Sequence, residues 1–259
     1  MIRPSFHSSP AFLARALDLG EADRRLTFFT REAGVLVTVG KSAWRSRKRF
    51  GGTLQRYVLL DIGWTERPGR MAVLASASVS RSFWEIVEDW ERVRHADHLL
   101  EIASELFPQA GPKPRAFEVL LRGMRSIAGG ESPPEIARKV EAELLAIGGW
   151  GPDLSGCRKC RGKESRSYRF LASEGGILCE GCPPEGGFPL SLGAVKTWRA
   201  LQAGGGAARG RLRIPVAIVE ELRIVIHGYL EYCLGKRLRS LGETRPLSAI
   251  TPQFSNDLA

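Results

Sequence analysis

The segments Cys157-Arg158-Lys159-Cys160 and Cys179-Glu180-Gly181-Cys182 impose the strongest constraint on how this chain folds. Each is a Cys-x-x-Cys pair, and 18 residues separate Cys160 from Cys179. That separation lies within the range of roughly 15–20 residues typical of four-cysteine zinc sites. Zinc prefers four thiolates in a tetrahedron at about 2.3 Å, and each tight turn supplies two of them. We therefore predict one structural Zn2+ ion held by Cys157, Cys160, Cys179 and Cys182, with a disulfide pair or free thiols as the alternatives.

The composition is that of a globular protein whose charge is unevenly distributed. The 259 residues are 43 % hydrophobic and 25 % charged, and the net charge is +10. Residues 1–80 contribute +7 (13 basic, 6 acidic), residues 81–150 contribute −3 (9 and 12) and residues 151–259 contribute +6 (16 and 10). Two cationic blocks around an acidic one indicate a polyanionic partner that contacts both ends.

Neither the N-terminus nor any internal segment has the pattern of a membrane or secretory segment. No run of about 18 apolar residues occurs, so we expect no membrane partner. Residues 1–10 lack the apolar core of a signal peptide. With four of the five cysteines in metal-site spacing, a reducing, cytoplasmic location is expected.

Short strand patterns dominate the first 80 residues. Five segments are rich in β-branched and aromatic residues or alternate in polarity, namely Phe12–Leu17, Arg25–Thr30, Val35–Val39, Tyr57–Trp64 and Met71–Ala75. The turn Arg67-Pro68-Gly69 joins the last two. Five strands without a long helix predict a small antiparallel barrel of the oligonucleotide-binding (OB) type over residues 1–80, with an SH3-like barrel as the alternative.

The most basic segment connects the third and fourth of these strands. It holds five cations with two aromatic residues between them, namely Lys41, Arg45, Arg47, Lys48 and Arg49 with Trp44 and Phe50. No acidic residue occurs from Ala33 to Leu60. Cations neutralise phosphates, and aromatic rings stack on unpaired bases with about 1–3 kcal/mol each. This pattern predicts a nucleic-acid-binding loop; the alternative is a solvated loop whose Trp44 and Phe50 pack inward.

Residues 81–150 are predicted to be helical. A first helix is expected over Phe83–Phe107 with Ser82 as its cap, a second over Arg115–Ala128, and a third from Ser132 to Gly148. His95 and His98 lie among acidic residues of the first helix. Because no other helix repeats a Glu-x-x-His unit, we interpret them as surface histidines and not as metal ligands.

Residues 151–190 are predicted to form the metal module and residues 191–259 the C-terminal part of the helical domain. Tyr168–Ala172 and Gly176–Leu178 are expected to be short strands, stabilised by the metal because so small a segment buries little apolar surface. A short helix is expected over Leu192–Gln202 and a long one over Val216–Leu241, with Cys233 as a buried thiol on its face. Lys236, Arg237 and Arg239 near its end stabilise the helix dipole and are also candidate DNA contacts. The chain is thus expected to be an α+β protein, with an OB barrel followed by a helical domain that carries an inserted four-Cys module.

Four parts of the sequence together resemble the RecO family of bacterial recombinational-repair mediators. They are Gly20–Glu32, Arg49–Leu54, the two Cys-x-x-Cys pairs and Tyr229–Leu241, and they follow one another in the family's order over nearly the whole chain. The resemblance implies a cytoplasmic, nucleoid-associated and non-catalytic DNA repair protein. Such a protein would bind single- and double-stranded DNA and anneal complementary strands. It would also pair with RecR, engage single-stranded DNA-binding protein and indirectly help RecA to load onto coated strands. By position, the loop Lys41–Arg49 with Arg56 would hold DNA.

Two other classes of function share parts of this pattern. An RNA- or ribosome-binding zinc-ribbon protein would have the same electrostatics. A nucleic-acid-processing enzyme would need an open metal position or clustered acids beside the basic surface, and the sequence offers neither at the four cysteines or in the basic segment.

Overall fold

The computed structural model describes residues 5–42, 50, 52–108, 110–163, 165–182, 186–203 and 212–242. The chain divides into two compact units, residues 1–140 and residues 141–259. The first unit contains a β-barrel and helices, and the second contains a small sheet with two further helices. The expected α+β class is therefore confirmed.

The barrel is built from five strands in the first unit. They are β1 (Ser5–Leu19), β2 (Asp23–Thr30), β3 (Gly34–Gly40), β4 (Val58–Glu66) and β5 (Ala72–Ser82). Their order around the closed barrel is β1-β2-β3-β5-β4, and β1 also pairs with β4. One short contact, between β3 and β5, is parallel, whereas the other pairings are antiparallel. Five strands closed in this order form an OB-type barrel, as the sequence predicted.

Strands β1 and β2 bury side chains on both faces. Leu26 and Phe28 of β2 point into the barrel core. Because neighbouring side chains of a strand point to opposite faces, Phe12 and Phe29 lie outside the barrel, where both are fully buried. Their rings lie 5.6 and 6.2 Å from the ring of Phe117 on a helix of the same unit. A second apolar core therefore joins the barrel to its helices.

The first helix after the barrel begins later than the sequence suggested. A 3-10 turn (Trp84–Ile86) precedes α1 (Trp90–Leu106), and α2 (Pro114–Ala128) and α3 (Pro133–Ile147) follow. Ser82 belongs to β5, so the predicted start of the first helix was wrong. Asp89 has extended backbone, and its carboxylate accepts hydrogen bonds from the amides of Glu91 and Arg92 at 2.8 and 3.0 Å. Asp89 is therefore the N-cap that starts α1.

The second unit is a four-stranded sheet that two helices contact. The strands are β6 (Asp153–Cys157), β7 (Ser167–Leu171), β8 (Gly176–Cys179) and β9 (Phe188–Ser191), in the order β6-β8-β7-β9. The predicted pair β7–β8 is confirmed, and the flanking strands were not foreseen. The helices are α4 (Leu192–Ala203) and α5 (Val216–Leu234). Phe170 of β7 is fully buried, with its ring 5.2 Å from that of Trp198 on α4 and 5.0 Å from that of Tyr229 on α5.

Helix α5 ends seven residues before the predicted end at Leu241. Gly235 has a φ of +63°, and its amide donates to the carbonyl of Tyr232. A residue in this left-handed conformation ends a helix, and glycine adopts it without a steric cost. Within the ranges described above, no helix is long and apolar enough to cross a membrane.

Candidate metal centre and nucleic-acid interface

The two Cys-x-x-Cys turns bring all four predicted sulfur ligands together. The Sγ atoms of Cys157, Cys160, Cys179 and Cys182 lie within 4.8 Å of one another. The Sγ atoms of Cys160 and Cys179 are 3.7 Å apart. Four sulfurs at about 2.3 Å from a central zinc form a tetrahedron with edges of about 3.8 Å, whereas a disulfide would need about 2.05 Å. The four-Cys group is therefore positioned to bind a metal ion.

The backbone around the first turn is folded tightly enough to fix the ligands. The amide of Cys157 donates to the carbonyl of Gly162 at 2.9 Å, and the amide of Arg161 donates back to the carbonyl of Cys157 at 2.8 Å. Arg161 has a φ of +62°, an uncommon conformation for a residue with a side chain. A Cβ atom on Gly176 of β8 would lie 2.9 Å from the backbone carbonyl oxygen of Asp153, so glycine is needed where β6 and β8 approach each other.

The pKa values of the thiols also agree with a bound metal cation. Burial opposes ionisation of the Cys157 thiol, but backbone hydrogen bonds from Cys160, Cys179 and Lys159 lower its pKa to about 6. The neighbouring sulfur of Cys160 and burial raise the pKa of Cys182 to about 12, and burial with the same sulfur raises the pKa of Cys179. Crowded sulfurs thus oppose each other's ionisation, and a divalent cation among them would remove that cost.

Some of the basic residues in the segment 151–190 form structural contacts. Arg158 donates to Asp153 at 2.8 Å, and Arg169 donates to the carbonyls of Gly186 and Gly187 at 2.7 Å. These two cations brace the sheet. The exposed remainder are Lys159, Arg161, Lys163 and Arg166.

The predicted DNA-binding loop is described only at its two ends. Trp44, Arg45, Arg47, Lys48 and Arg49 lie outside the described residues. Lys41 is exposed in the turn that follows β3. Next to it, the amide of Ser42 donates to the Asp23 carboxylate at 2.8 Å, which anchors the start of the loop to β2.

Phe50 corrects the prediction for the other end of the loop. Its side chain is 2 % exposed and packs in the barrel core with Leu60 and Leu74. A ring buried there cannot stack on a base, so Phe50 follows the alternative of an inward-packed aromatic residue. Phe50 is therefore not a candidate DNA contact.

Arg56 is engaged with α1. Its guanidinium pairs with the Asp97 carboxylate at 2.9 Å, and the Tyr57 hydroxyl donates to the same carboxylate. Burial, followed by this hydrogen bond, raises the pKa of Tyr57. The side chain of Arg56 remains 44 % exposed, so a phosphate contact at Arg56 stays a prediction.

The C-terminal cations lie beyond the helix that was expected to carry them. Lys236, Arg237 and Arg239 are exposed, and they follow the end of α5 at Leu234. The Arg237 guanidinium lies 3.6 Å from the Glu231 carboxylate. The predicted position of these residues inside the helix is therefore wrong. Stabilisation of the helix dipole by cations near its C-terminus and contact with DNA both stay predictions.

A groove at one end of the barrel contains cations that sequence reasoning did not single out. Its volume is about 480 Å³, and it is lined by the β4–β5 turn with parts of β1 and β3. Arg67, Arg70 and Met71 of this turn are exposed. The β4–β5 loop is one of the two loops that OB barrels use for ligands. The turn Arg67-Pro68-Gly69-Arg70 was visible in the sequence, but only the barrel topology indicates which loop it forms.

His95 and His98 also differ from expectation. Both are buried, with 6 % and 4 % exposure, so the interpretation as surface histidines was wrong. Nδ1 of His95 lies 2.8 Å from the carbonyl oxygen of Glu91, one turn earlier on α1. Burial lowers the pKa of His95. Such a histidine is accommodated in the core as a neutral ring.

Cys233 was predicted to be a buried thiol, and the structure confirms its place on the last long helix but leaves it partly exposed. It is half-buried on α5 and forms no disulfide. Burial raises the pKa of its thiol to about 11, so it stays protonated at neutral pH.

By its fold, this protein belongs to the class in which an OB barrel is followed by helices and by a four-cysteine group that is positioned to bind a metal ion. Residues 5–83 match the family described as Recombination protein O N terminal, and residues 87–242 match the family described as Recombination protein O C terminal. The chain belongs to the RecO family.

Similar proteins from three bacteria match this chain over nearly their whole length. DNA repair protein RecO of Anaeromyxobacter sp. (strain K) is 35 % identical over 240 residues, which is 90 % of this chain and 94 % of the relative. The protein of the same name from Myxococcus xanthus (strain DK1622) is 27 % identical over 91 % of this chain and 95 % of the relative. That from Dehalococcoides mccartyi (strain CBDB1) is 26 % identical over 93 % of this chain and 96 % of the relative.

Proposed function

We propose that this protein is a DNA repair protein of the RecO type that binds single- and double-stranded DNA and anneals complementary strands. The observation that carries the proposal is the OB-type barrel whose β3–β4 connection contains Lys41, Arg45, Arg47, Lys48 and Arg49 without an acidic residue. Cations on such a connection neutralise phosphates whatever the base sequence. The exposed Arg67 and Arg70 beside the groove would extend this surface.

Annealing would follow from binding alone. Two strands held on one cationic surface have a high local concentration, and the surface screens the repulsion between their phosphates. With RecR, the protein would promote loading of RecA onto strands coated by single-stranded DNA-binding protein, as membership of the family suggests. We expect this to take place at the nucleoid in the cytoplasm.

The protein would hold one structural Zn2+ ion and would make or break no covalent bond in DNA. Four thiolates fill a tetrahedral zinc shell, so no position remains for a catalytic water. The ion would fix the two Cys-x-x-Cys turns to each other across the sheet of the second unit. The basic segment from Ala33 to Leu60 has no carboxylate that could bind a catalytic magnesium ion.

A salt titration of oligonucleotide affinity tests the proposed interface. Fluorescence anisotropy with a labelled 30-nucleotide single strand would compare the wild type with a variant in which Arg45, Arg47, Lys48 and Arg49 are replaced by Ala. Each lost contact to a single strand lowers the slope of log affinity against log salt by about 0.7, so four lost contacts lower it by up to about 2.8. The variant Arg67→Ala/Arg70→Ala should lower the slope by up to about 1.4.

A double variant on α4, Lys196→Ala/Arg199→Ala, is the matched control because it also removes two exposed cations. Its slope should stay close to that of the wild type. Equal affinities and slopes for the loop variant and the wild type would rule out the loop as the DNA-binding surface.

A further inference from the structure

An exposed aromatic patch lies directly after the last barrel strand. Trp84, Val87 and Trp90 are 58 %, 60 % and 78 % exposed, and they fall within seven consecutive residues, which we call the Trp84–Trp90 patch. Single exposed apolar residues are ordinary, but several close together mark interaction sites in soluble proteins. Tryptophan is also the residue most enriched among those that dominate protein–protein binding energies.

The backbone holds this patch in a fixed conformation. Phe83 and Ile86 are fully buried, while their neighbours Trp84 and Val87 face solvent. The amide of Ile86 donates to the carbonyl of Phe83, and that of Val87 donates to the carbonyl of Trp84, both at 3.0 Å. Side chains three residues apart eclipse each other in a 3-10 turn, so Trp84 and Val87 lie on one side.

Trp90 is the first residue of α1, the helix that follows this turn. The Asp89 carboxylate caps the helix, and Nη1 of Arg92 donates to the carbonyl of Glu85 at 3.1 Å, which ties the helix to the 3-10 turn. A surface fixed in this way loses little conformational entropy when a partner binds.

The charge of the patch selects the kind of partner. Glu85, Glu88, Asp89 and Glu91 stand between and beside the three apolar residues, and no Lys or Arg occurs from Phe83 to Glu91. This acidic run belongs to a chain whose net charge is +10. Carboxylates repel a phosphate backbone and favour a partner with the opposite charge. Stacking of nucleic-acid bases on these tryptophans is therefore disfavoured.

We propose that the Trp84–Trp90 patch is a docking surface for a segment of a partner protein that combines aliphatic side chains with Lys or Arg. The tryptophan rings would cover the aliphatic side chains, and Glu88 and Glu91 would pair with the cations. Lys or Arg over a tryptophan face would gain a further cation–π contribution. Because the patch and the basic loop carry opposite charges, they would recruit different partners, one a protein and the other DNA.

A peptide selection with the full chain tests this surface. A random 12-residue phage library would be selected on the wild type after depletion on the double variant Trp84→Ala/Trp90→Ala. We expect the recovered sequences to be enriched in Leu, Ile or Val together with Lys or Arg. For the best resynthesised peptide, Trp84→Ala or Trp90→Ala alone should weaken binding at least about tenfold, which is the size expected of a dominant interface residue.

Two further variants distinguish the proposed docking from non-specific hydrophobic binding. Glu88→Lys should weaken binding of the same peptide about tenfold, because it reverses one of the charges that would pair with the cations of the peptide. Tyr232→Ala removes a comparably exposed aromatic side chain (57 %) in the second unit and should leave the affinity unchanged. All five variants should melt within a few degrees of the wild type, since the replaced side chains are exposed.

Three outcomes would overturn the proposal. The first is a selection that yields acidic peptides, or none that depend on Trp84 and Trp90. The second is a loss of oligonucleotide affinity in Trp90→Ala, which would assign the patch to base stacking. The third is self-association of the wild type that Trp84→Ala/Trp90→Ala abolishes, as measured by light scattering, which would assign the patch to a second copy of this chain.

Discussion

Replacing Cys160 by serine removes one sulfur from the four-Cys group without disturbing a packed core. Cys160 is exposed, whereas Cys157 is only 2 % exposed. Cys157→Ser would therefore also place a hydroxyl in a buried position, at a cost of about 1–3 kcal/mol. Any loss of stability in Cys160→Ser must come mainly from the loss of the metal ion.

The size of the expected effect follows from mass action. An ion present at a thousandfold excess over its dissociation constant stabilises the folded state by about 4 kcal/mol. For a unit of 119 residues, 141–259, each 1 kcal/mol shifts the melting temperature by about 4 °C. Loss of the ion should thus lower the melting temperature of this unit by about 15 °C. The shift should be confined to the unit that carries the cysteines.

Calorimetry of the full chain measures this shift, and plasma mass spectrometry counts the metal. The wild type should contain one zinc per chain and lose about 15 °C on chelation. Cys160→Ser should melt at the lower temperature with or without added zinc, and Cys233→Ser should behave as the wild type. The reasoning is refuted if zinc-treated Cys160→Ser melts with the wild type, or if chelation of the wild type changes nothing.

Two further predictions concern the first unit. Asp97→Ala removes the carboxylate that accepts the hydrogen bond of the Tyr57 hydroxyl, and urea unfolding should show this unit destabilised by about 2 kcal/mol. Most of this loss comes from the Tyr57 hydroxyl, which is left without an acceptor. The half-exposed ion pair between Arg56 and Asp97 contributes less than about 1 kcal/mol. Oligonucleotide affinity should not fall in this variant; a fall would show that Asp97 positions Arg56 for DNA. Burial lowers the pKa of His95, so the unfolded state binds a proton at this residue more readily than the folded state does. The contribution of the neutral, buried His95 to stability is therefore complete above the unfolded pKa of about 6.5 and is lost as the pH falls below it. His95→Gln should therefore show a shallower loss of melting temperature between pH 7 and pH 5 than the wild type, and equal slopes would contradict a neutral buried His95.

The barrel was predictable because its signals are local. Strands β2, β3 and β4 are rich in β-branched and aromatic residues and end at glycine or charged turns. The first half of β1 escaped prediction because Ser5–Pro10 is largely exposed and contains a proline, and it is a strand only through its pairing with β4. In β2, the sequence could not assign Phe28 to the barrel core and Phe29 to the helices, because both are large and apolar.

The grouping of the four cysteine sulfurs was predictable for the same reason, since the spacing of the two Cys-x-x-Cys pairs indicates it. The burial of individual side chains could not be predicted, because it depends on tertiary packing. Phe50 follows a run of cations in sequence but fills the barrel core. His95 stands among charges but is buried. In α5, apolar spacing continues to Leu241, and a single glycine in the left-handed conformation ends the helix earlier.

An annealing assay with recovery of the strands tests the central claim most directly. Two complementary labelled oligonucleotides would be mixed with pure protein over a range of salt concentrations, followed by fluorescence, and then recovered on a denaturing gel. A protein that acts by cationic binding accelerates annealing at low salt, loses this effect as the salt rises, and returns both strands at full length. Annealing no faster than in buffer, or strands that come back shortened, would contradict it.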